Sequence, residues 1–418
     1  MSQEVGSTSN SAVASNIATP NLIAILAAVV ALGPISVDLY LPAMPSMVRI
    51  FDTDIEQVQL TLSAYLFGFA IFHLICGPLS DRFGRKPILI AGLSLYVVMS
   101  VFCALAETVE ELILFRFIQA MGACCAPTLG RAVVRDVFPP KDAVKALAYV
   151  ASLMALAPVV APSLGGVLVI FGDWSLTFWA LAIYGVLAIL LVIFFIPESL
   201  PVKQSLHPAR ILRNYGTLLR SRAYMGNVLT SASLYSSIFA FLSVASFVLI
   251  DFMGVKTEHF GFYFVVIVVG YIAGNMLTAR VAYRWSTRKV FGVAISLSCL
   301  SSTVMVLFCL LQWYQPMLIV VPMLVVTMAV GIILPKASAE ALKPFPEMAA
   351  TASAMMGFLQ MGAASLTGWV VALFLEGPPL PLALGIFGTG CSALLCYLLI
   401  LPRDSSHDGR NSESLNEG

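Results

Sequence analysis

Residues 21–45, 57–79, 87–107, 112–134, 144–169, 175–196, 224–250, 259–281, 290–311, 316–338, 349–374 and 379–401 are apolar runs long enough to cross the hydrocarbon of a bilayer. No other feature restricts the fold as much. In hydrocarbon every backbone N–H and C=O must be satisfied within the chain, and runs of this length satisfy theirs as helices. The predicted fold class is an all-α integral membrane protein with twelve transmembrane helices. Composition agrees, with 59% hydrophobic and 11% charged residues, where soluble domains carry about 25% charged. A net charge of +1 gives a nucleic-acid partner no footing. Pro158, Pro162, Pro322, Pro335 and several glycines interrupt the fifth run and the tenth to twelfth.

Orientation follows from Lys and Arg, which favour the cytoplasmic side of a membrane. With both termini inside, all but three of the 23 basic residues fall in inside loops or the C-terminal tail. The exceptions are Arg49 and Lys256 outside and Arg116 within the fourth run. Flipping any one span scrambles this sorting. The chain then divides into a polar tail (1–20), a six-helix bundle (21–196), a cytoplasmic linker (197–222), a second six-helix bundle (223–402) and a polar C-tail (403–418). The N-tail is Ser/Asn/Ala/Thr-rich, expected to be disordered, and has no basic segment of the kind that opens a cleaved leader.

Charges inside hydrocarbon are expensive and mark functional sites by default. Asp38, toward the outer half of the first run, and Arg116 stand out, and a water-filled cavity in the outer half would expose both. A carboxyl whose charge state answers to water and to neighbouring cations can load and release a proton. The bland alternative is a static ion pair or a hydrated surface Asp. His73 is a weaker titrating candidate, since a single buried His usually makes one interhelical hydrogen bond. Between the second and third runs, Gly77, Asp81, Arg82, Gly84, Arg85 and Lys86 form a charged, glycine-punctuated segment that reads as a tight hinge. In the fifth run Pro158 and Pro162 each remove a helical hydrogen bond and predict bends, while Gly165 and Gly166 predict close helix contact. The eight cysteines all lie in the runs, without the spacing of a zinc site or a disulfide framework.

Three motifs together resemble the major facilitator superfamily of transporters. The segment 77–86 is similar to its loop signature, Arg116-Phe-Ile-Gln119-Ala-Met-Gly122 to its fourth-helix motif, and Ala161-Pro162-Ser163-Leu164-Gly165-Gly166 to the fifth-helix motif of its antiporter branch, with Ala161 where Gly is usual. Asp38-Leu-Tyr40-Leu-Pro42-Ala-Met-Pro45 is similar to the first helix of the bicyclomycin/chloramphenicol-resistance (Bcr/CflA-type) drug:proton antiporters. The resemblance implies two bundles around a central cavity that alternates its access, no enzymatic role, no metal and no cofactor, with the proton gradient as energy source. It implies Asp38 as the proton site and Arg116 as its support. With no second acid in the first run, the simplest scheme exchanges one proton per cycle. Arg85 is expected to pair with Asp136 and latch the outward-facing state, with Asp81 facing the positive end of the eleventh helix.

By the same analogy the cavity is lined by the first, fourth, seventh and tenth helices. The seventh is unusually polar, with Asn227, Thr230, Ser231 and Tyr235, and Tyr40, Tyr65, Gln119 and Gln360 are expected to face it. The reading is efflux of small amphipathic compounds such as amphenicol-like drugs, coupled to protons, by a monomer in a bacterial inner membrane. The alternative is the same machine moving a native metabolite or siderophore in either direction. A membrane enzyme lacks any catalytic constellation here, and a sensor lacks an output domain.

Overall fold

In the computed structural model, residues 20–154, 156–200, 208–281 and 285–401 are described. The predicted tails, apart from Pro20, and the linker residues 201–207 lie outside them, as do Arg284, Arg403 and Arg410. The described residues are helical throughout, without strands. The helices are α1 (Pro20–Asp38), α2 (Met44–Ile50), α3 (Ile55–Phe83), α4 (Arg85–Ala104), α5 (Val109–Ala123), α6 (Cys125–Val137), α7 (Pro140–Met154), α8 (Ala157–Phe171) and α9 (Ser175–Phe195). They continue as α10 (Pro208–Arg220), α11 (Arg222–Ser246), α12 (Phe260–Val281), α13 (Thr287–Leu310), α14 (Pro316–Leu342), α15 (Ala349–Leu373) and α16 (Leu380–Leu399).

Among the described residues, eleven helical segments are long and apolar enough to cross a membrane. The fifth predicted run is the exception. It is split into α7 and α8, because Pro158 starts a new helix at a position where its missing N–H costs nothing. Only Pro162 lies inside a helix there, so one of the two expected bends is instead a break. The first run is also broken: α1 ends at Asp38, a 3₁₀ turn covers Leu41–Ala43, and α2 follows. The expected hinge at 77–86 is shorter than the charge pattern implies. Helix α3 runs through Gly77 and Asp81 to Phe83, and the turn is made at Gly84 alone, whose φ of 109° suits glycine. The linker holds a helix that hydropathy did not signal, α10, whose apolar and basic residues lie on separate faces.

In the first half α3 packs on α5, and α4 on α5 and α9; in the second, α11 packs on α14, α15 and α16, and α14 on α12 and α13. The halves meet along α3–α15 and α8–α12, and where the α1 hinge reaches α11. Ser63 and Ser365 join α3 to α15 reciprocally, each hydroxyl donating to the other's carbonyl at 3.0 and 2.8 Å. Many further joins lie at the end opposite the Gly84 turn. There Arg49 meets Asp251 at 3.7 Å, Trp369 donates to Glu56 at 3.2 Å, and Gly166 lies against the Thr257 carbonyl.

Candidate coupling site and the cavity between the halves

The site begins with a backbone problem. Pro42 has no N–H, so the chain cannot stay helical past Asp38 without leaving that carbonyl unpaired. The end of α1 carries other open carbonyls, and Arg116 fills one of them: its terminal amine donates to the Ser36 carbonyl at 3.2 Å. The other amine donates to Gln119 at 2.7 Å, and the Gln119 amide donates to Ser100 at 2.7 Å. Ser100 donates to the Tyr96 carbonyl, and the Tyr96 hydroxyl shares a 2.7 Å hydrogen bond with Ser36. The guanidinium lies 4.5 Å from the Tyr40 ring centre and 4.2 Å from that of Tyr65, a distance at which the ring faces attract a cation. Tyr40 is fixed in turn by Thr61 at 3.1 Å.

Arg116 is therefore wholly enclosed in the first half. This corrects the expectation of an outer cavity exposing both charges. The guanidinium is held by a carbonyl, an amide and two rings, and the two charges do not pair. Asp38 differs from it in every respect. It is the one acidic residue buried among the described residues, and there it has neither a hydrogen bond nor an ion pair. It closes α1 just before the 3₁₀ turn that reaches α11, which places it near the boundary between the halves. Its neighbour Leu39 is touched by α8: a side chain at Gly165 would strike the Leu39 carbonyl. The fifth-helix glycine thus presses on the hinge beside the acid.

The predicted cavity set divides. Tyr40 and Gln119 belong to the Arg116 network rather than to a cavity wall. Thr230 and Ser231 are fully buried, and their hydroxyls are used by carbonyls of their own helix, at 2.6 and 3.0 Å. Tyr235 is half-buried, and the Tyr65 hydroxyl, the Asn227 side-chain oxygen and the Gln360 side-chain nitrogen have no partner. The last three atoms are enclosed in this arrangement, and only Tyr235 of the four is partly exposed. His73 is buried in α3, 3.4 Å from the Cys124 sulfur and pressed against Gly357 of α15.

The loop charges form a staple within the first half. Arg85 reaches Asp136 at 3.2 Å and Asp81 at 2.7 Å, so Asp81 faces Arg85 rather than the eleventh predicted helix. Both pairings lie at the Gly84 end of the first half. Gly77 has open space around it and Arg82 lies over Phe83, so neither enters the staple. Glu198, at the end of the sixth predicted span, was missed. Its carboxylate accepts from the backbone N–H of Arg85 at 2.9 Å and of Lys86 at 3.2 Å, capping α4, while Lys86 donates to the Ile193 carbonyl. Also missed was Arg131, which hydropathy assigned to a basic loop end but which sits on α6.

Residues 26–368 match the Major Facilitator Superfamily, and the chain belongs to that superfamily: it is a multi-pass membrane transporter, not an enzyme. It is 29% identical over 382 residues to a bicyclomycin resistance protein homolog of Haemophilus influenzae, covering 90% of this chain and 95% of the relative. It is 28% identical over 354 residues to multidrug resistance protein MdtL of Shigella flexneri, covering 83% and 87%. These relatives agree with the branch that the first-helix motif resembles. The fold superposes on the xylose transporter XylE of E. coli in a partially occluded inward-open conformation, with a TM-score of 0.70 at 14% identity over 90% of this chain and 95% of that one.

Proposed function

We propose that this transporter exports small amphipathic compounds in exchange for protons, in a bacterial inner membrane, as a monomer with twelve crossings and both termini in the cytoplasm. The observation that carries the reading is Asp38, a buried carboxyl left unpartnered at a break in α1, beside the glycine of α8 and next to the turn that reaches the second half. A group so placed exchanges its proton as access to the cavity alternates. The basic end of the molecule, around Gly84, belongs in the cytoplasm by the charge rule, and counting α7 and α8 as one interrupted crossing makes twelve. The joins at the opposite end then describe an arrangement closed to the outside and turned inward. No cofactor is needed, since the proton gradient supplies the energy. The relatives named for bicyclomycin and multidrug resistance support amphipathic drugs as cargo.

The two bundles are 21–196 and 223–402, joined by the 197–222 linker. Rocking one against the other opens the cavity to each side in turn. Arg116 is a positioning residue that holds the broken end of α1 so that Asp38 keeps its place. The Arg85–Asp136 staple stiffens the cytoplasmic end of the first bundle through the cycle. The test is a proteoliposome with an interior pH dye, to which an amphenicol is added. Proton flux evoked by the compound and lost in Asp38→Asn is expected. Equal flux in the variant would move the coupling elsewhere.

A further inference from the structure

One cationic group lines the space between the halves without a role in the coupling site. Arg131 is exposed on α6 although Leu129, Gly130, Ala132, Val133 and Val134 around it are all buried. The side chain therefore opens onto unfilled space on one face of α6 while the rest of its turn is packed. Its charge acts on Tyr235 of α11 across the boundary between the halves and on His73 of α3. Only its Nε is used, donating to the Pro127 carbonyl of its own helix at 2.8 Å. Among the described residues no carboxylate pairs with it. Arg135, one turn nearer the basic end on the same helix, is exposed too and has no acidic partner among the described residues, because Asp136 beside it is taken by Arg85.

The depth of the pair can be read from packing. A side chain at Gly130 would strike Val30 of α1, so Arg131 stands level with Val30. Asp38 lies eight residues further along the same helix, about 12 Å at 1.5 Å per residue. An enclosed, unpartnered carboxyl and a guanidinium with its terminal amines free are thus separated along α1 by about the length of a small organic molecule.

We infer that Arg131 is an anion-binding residue of the substrate site, and that the preferred cargo carries a carboxylate or another small oxyanion on an amphipathic body. A guanidinium with its terminal amines free offers paired donors matched to such a group. Arg135 extends the positive field to the mouth and draws anions in. This rests on the transport reading above and narrows it from amphipathic compounds in general to organic acids and zwitterions.

The experiment uses the purified full chain in nanodiscs and two fluorescent probes, N-dansylglycine and its methyl ester, which differ in one negative charge. The wild type is expected to bind the acid more tightly than the ester by about tenfold, the worth of a charge-assisted contact. Arg131→Gln is expected to bring the two within about twofold by weakening the acid alone, and Arg131→Lys to keep part of the preference. Thermal unfolding of each variant shows whether it is folded, and the Lys variant carries the test if the Gln variant is not. Equal binding of acid and ester by the wild type overturns the inference, as does a preference that survives in Arg131→Gln. The amphenicol proton-flux assay, run beside it, separates the two ideas. Flux with no anion preference, or with neither probe bound, sinks the inference and leaves the transport reading standing. Anion preference without amphenicol-evoked flux supports the inference and overturns proton-coupled amphenicol export instead.

Discussion

Helix α5 and helix α11 both carry polar side chains into the protein interior, and they dispose of them in opposite ways. The polar groups of α5 reach across to other helices: Arg116 to α1, Gln119 to α4. Those of α11 turn back on themselves, with Asn227, Thr230, Ser231, Ser233, Ser236, Ser237 and Ser243 each donating to a carbonyl three or four residues earlier. The first arrangement ties helices together and fixes the geometry around Asp38. In the second, the amide and hydroxyls beyond the first turn tie nothing across helices, and α11 is joined to its neighbours by side-chain hydrogen bonds at its first turn, where Tyr224 donates to the Ala352 carbonyl at 2.6 Å and Arg222 to the Leu399 carbonyl at 3.2 Å. A rocking transporter has use for both, a rigid frame for its proton site and a cavity-side stretch of helix whose polar groups are satisfied without cross-links.

The sharpest way to break this contrast is at the acid itself. Asp38→Asn should lower substrate-evoked proton flux by about 100-fold or more, with little change in stability, since no native partner is lost. Gly165→Leu comes next. It forces a side chain against the Leu39 carbonyl, and overpacking of this kind costs about 1–3 kcal/mol. Transport in vesicles should drop at least about tenfold while expression holds, because the hinge beside Asp38 is displaced. Arg116→Met strips the frame, leaving the Ser36 carbonyl and the Gln119 amide oxygen unpaired. A loss of about 2–4 kcal/mol in thermal unfolding is expected, and a loss below about 0.5 kcal/mol would show that the frame is not what holds α1.

Smaller effects should follow at the ends. Asp136→Asn loosens a partly exposed staple that Asp81 still half-supplies, so stability should fall by about 1 kcal/mol or less and turnover by about threefold or less. The double change Ser231→Ala and Ser236→Ala should be the mildest, within about 0.5 kcal/mol, because both hydroxyls serve carbonyls already bonded in the helix. A large defect from that pair would mean that α11 uses its hydroxyls across helices during transport, and the contrast with α5 would fail.

How much of this was legible in advance depended on whether the signal was local. Asp38 stood out because a single acid in an apolar run has no cheap local explanation. The spans were legible for the same reason, since lipid demands a length of apolar helix that can be counted along the chain. Arg131 and Glu198 were hidden because each sits where an apolar run ends, and there a charge looks like an ordinary interfacial residue. The cavity assignment of Gln119 and Tyr40 went astray because face and partner are set by neighbouring helices. Gln119 lies three residues from Arg116 on one helix face, and the amine it satisfies and the serine it donates to belong to different helices.

The sequence by itself determined that this chain lives in a bilayer as a bundle of helices, which end of them is basic, and that one acid is buried in the first of them. Those properties follow from transfer free energies, which add up residue by residue along the chain. Only the tertiary structure decided which charges are spent and which are free. Arg116 is enclosed by carbonyl, amide and rings, Arg85 is shared between two carboxylates, Asp38 is buried without a partner, and Arg131 keeps its terminal amines free. Whether a charge is spent depends on distances of a few ångströms between helices far apart in sequence, and hydropathy carries no record of those distances.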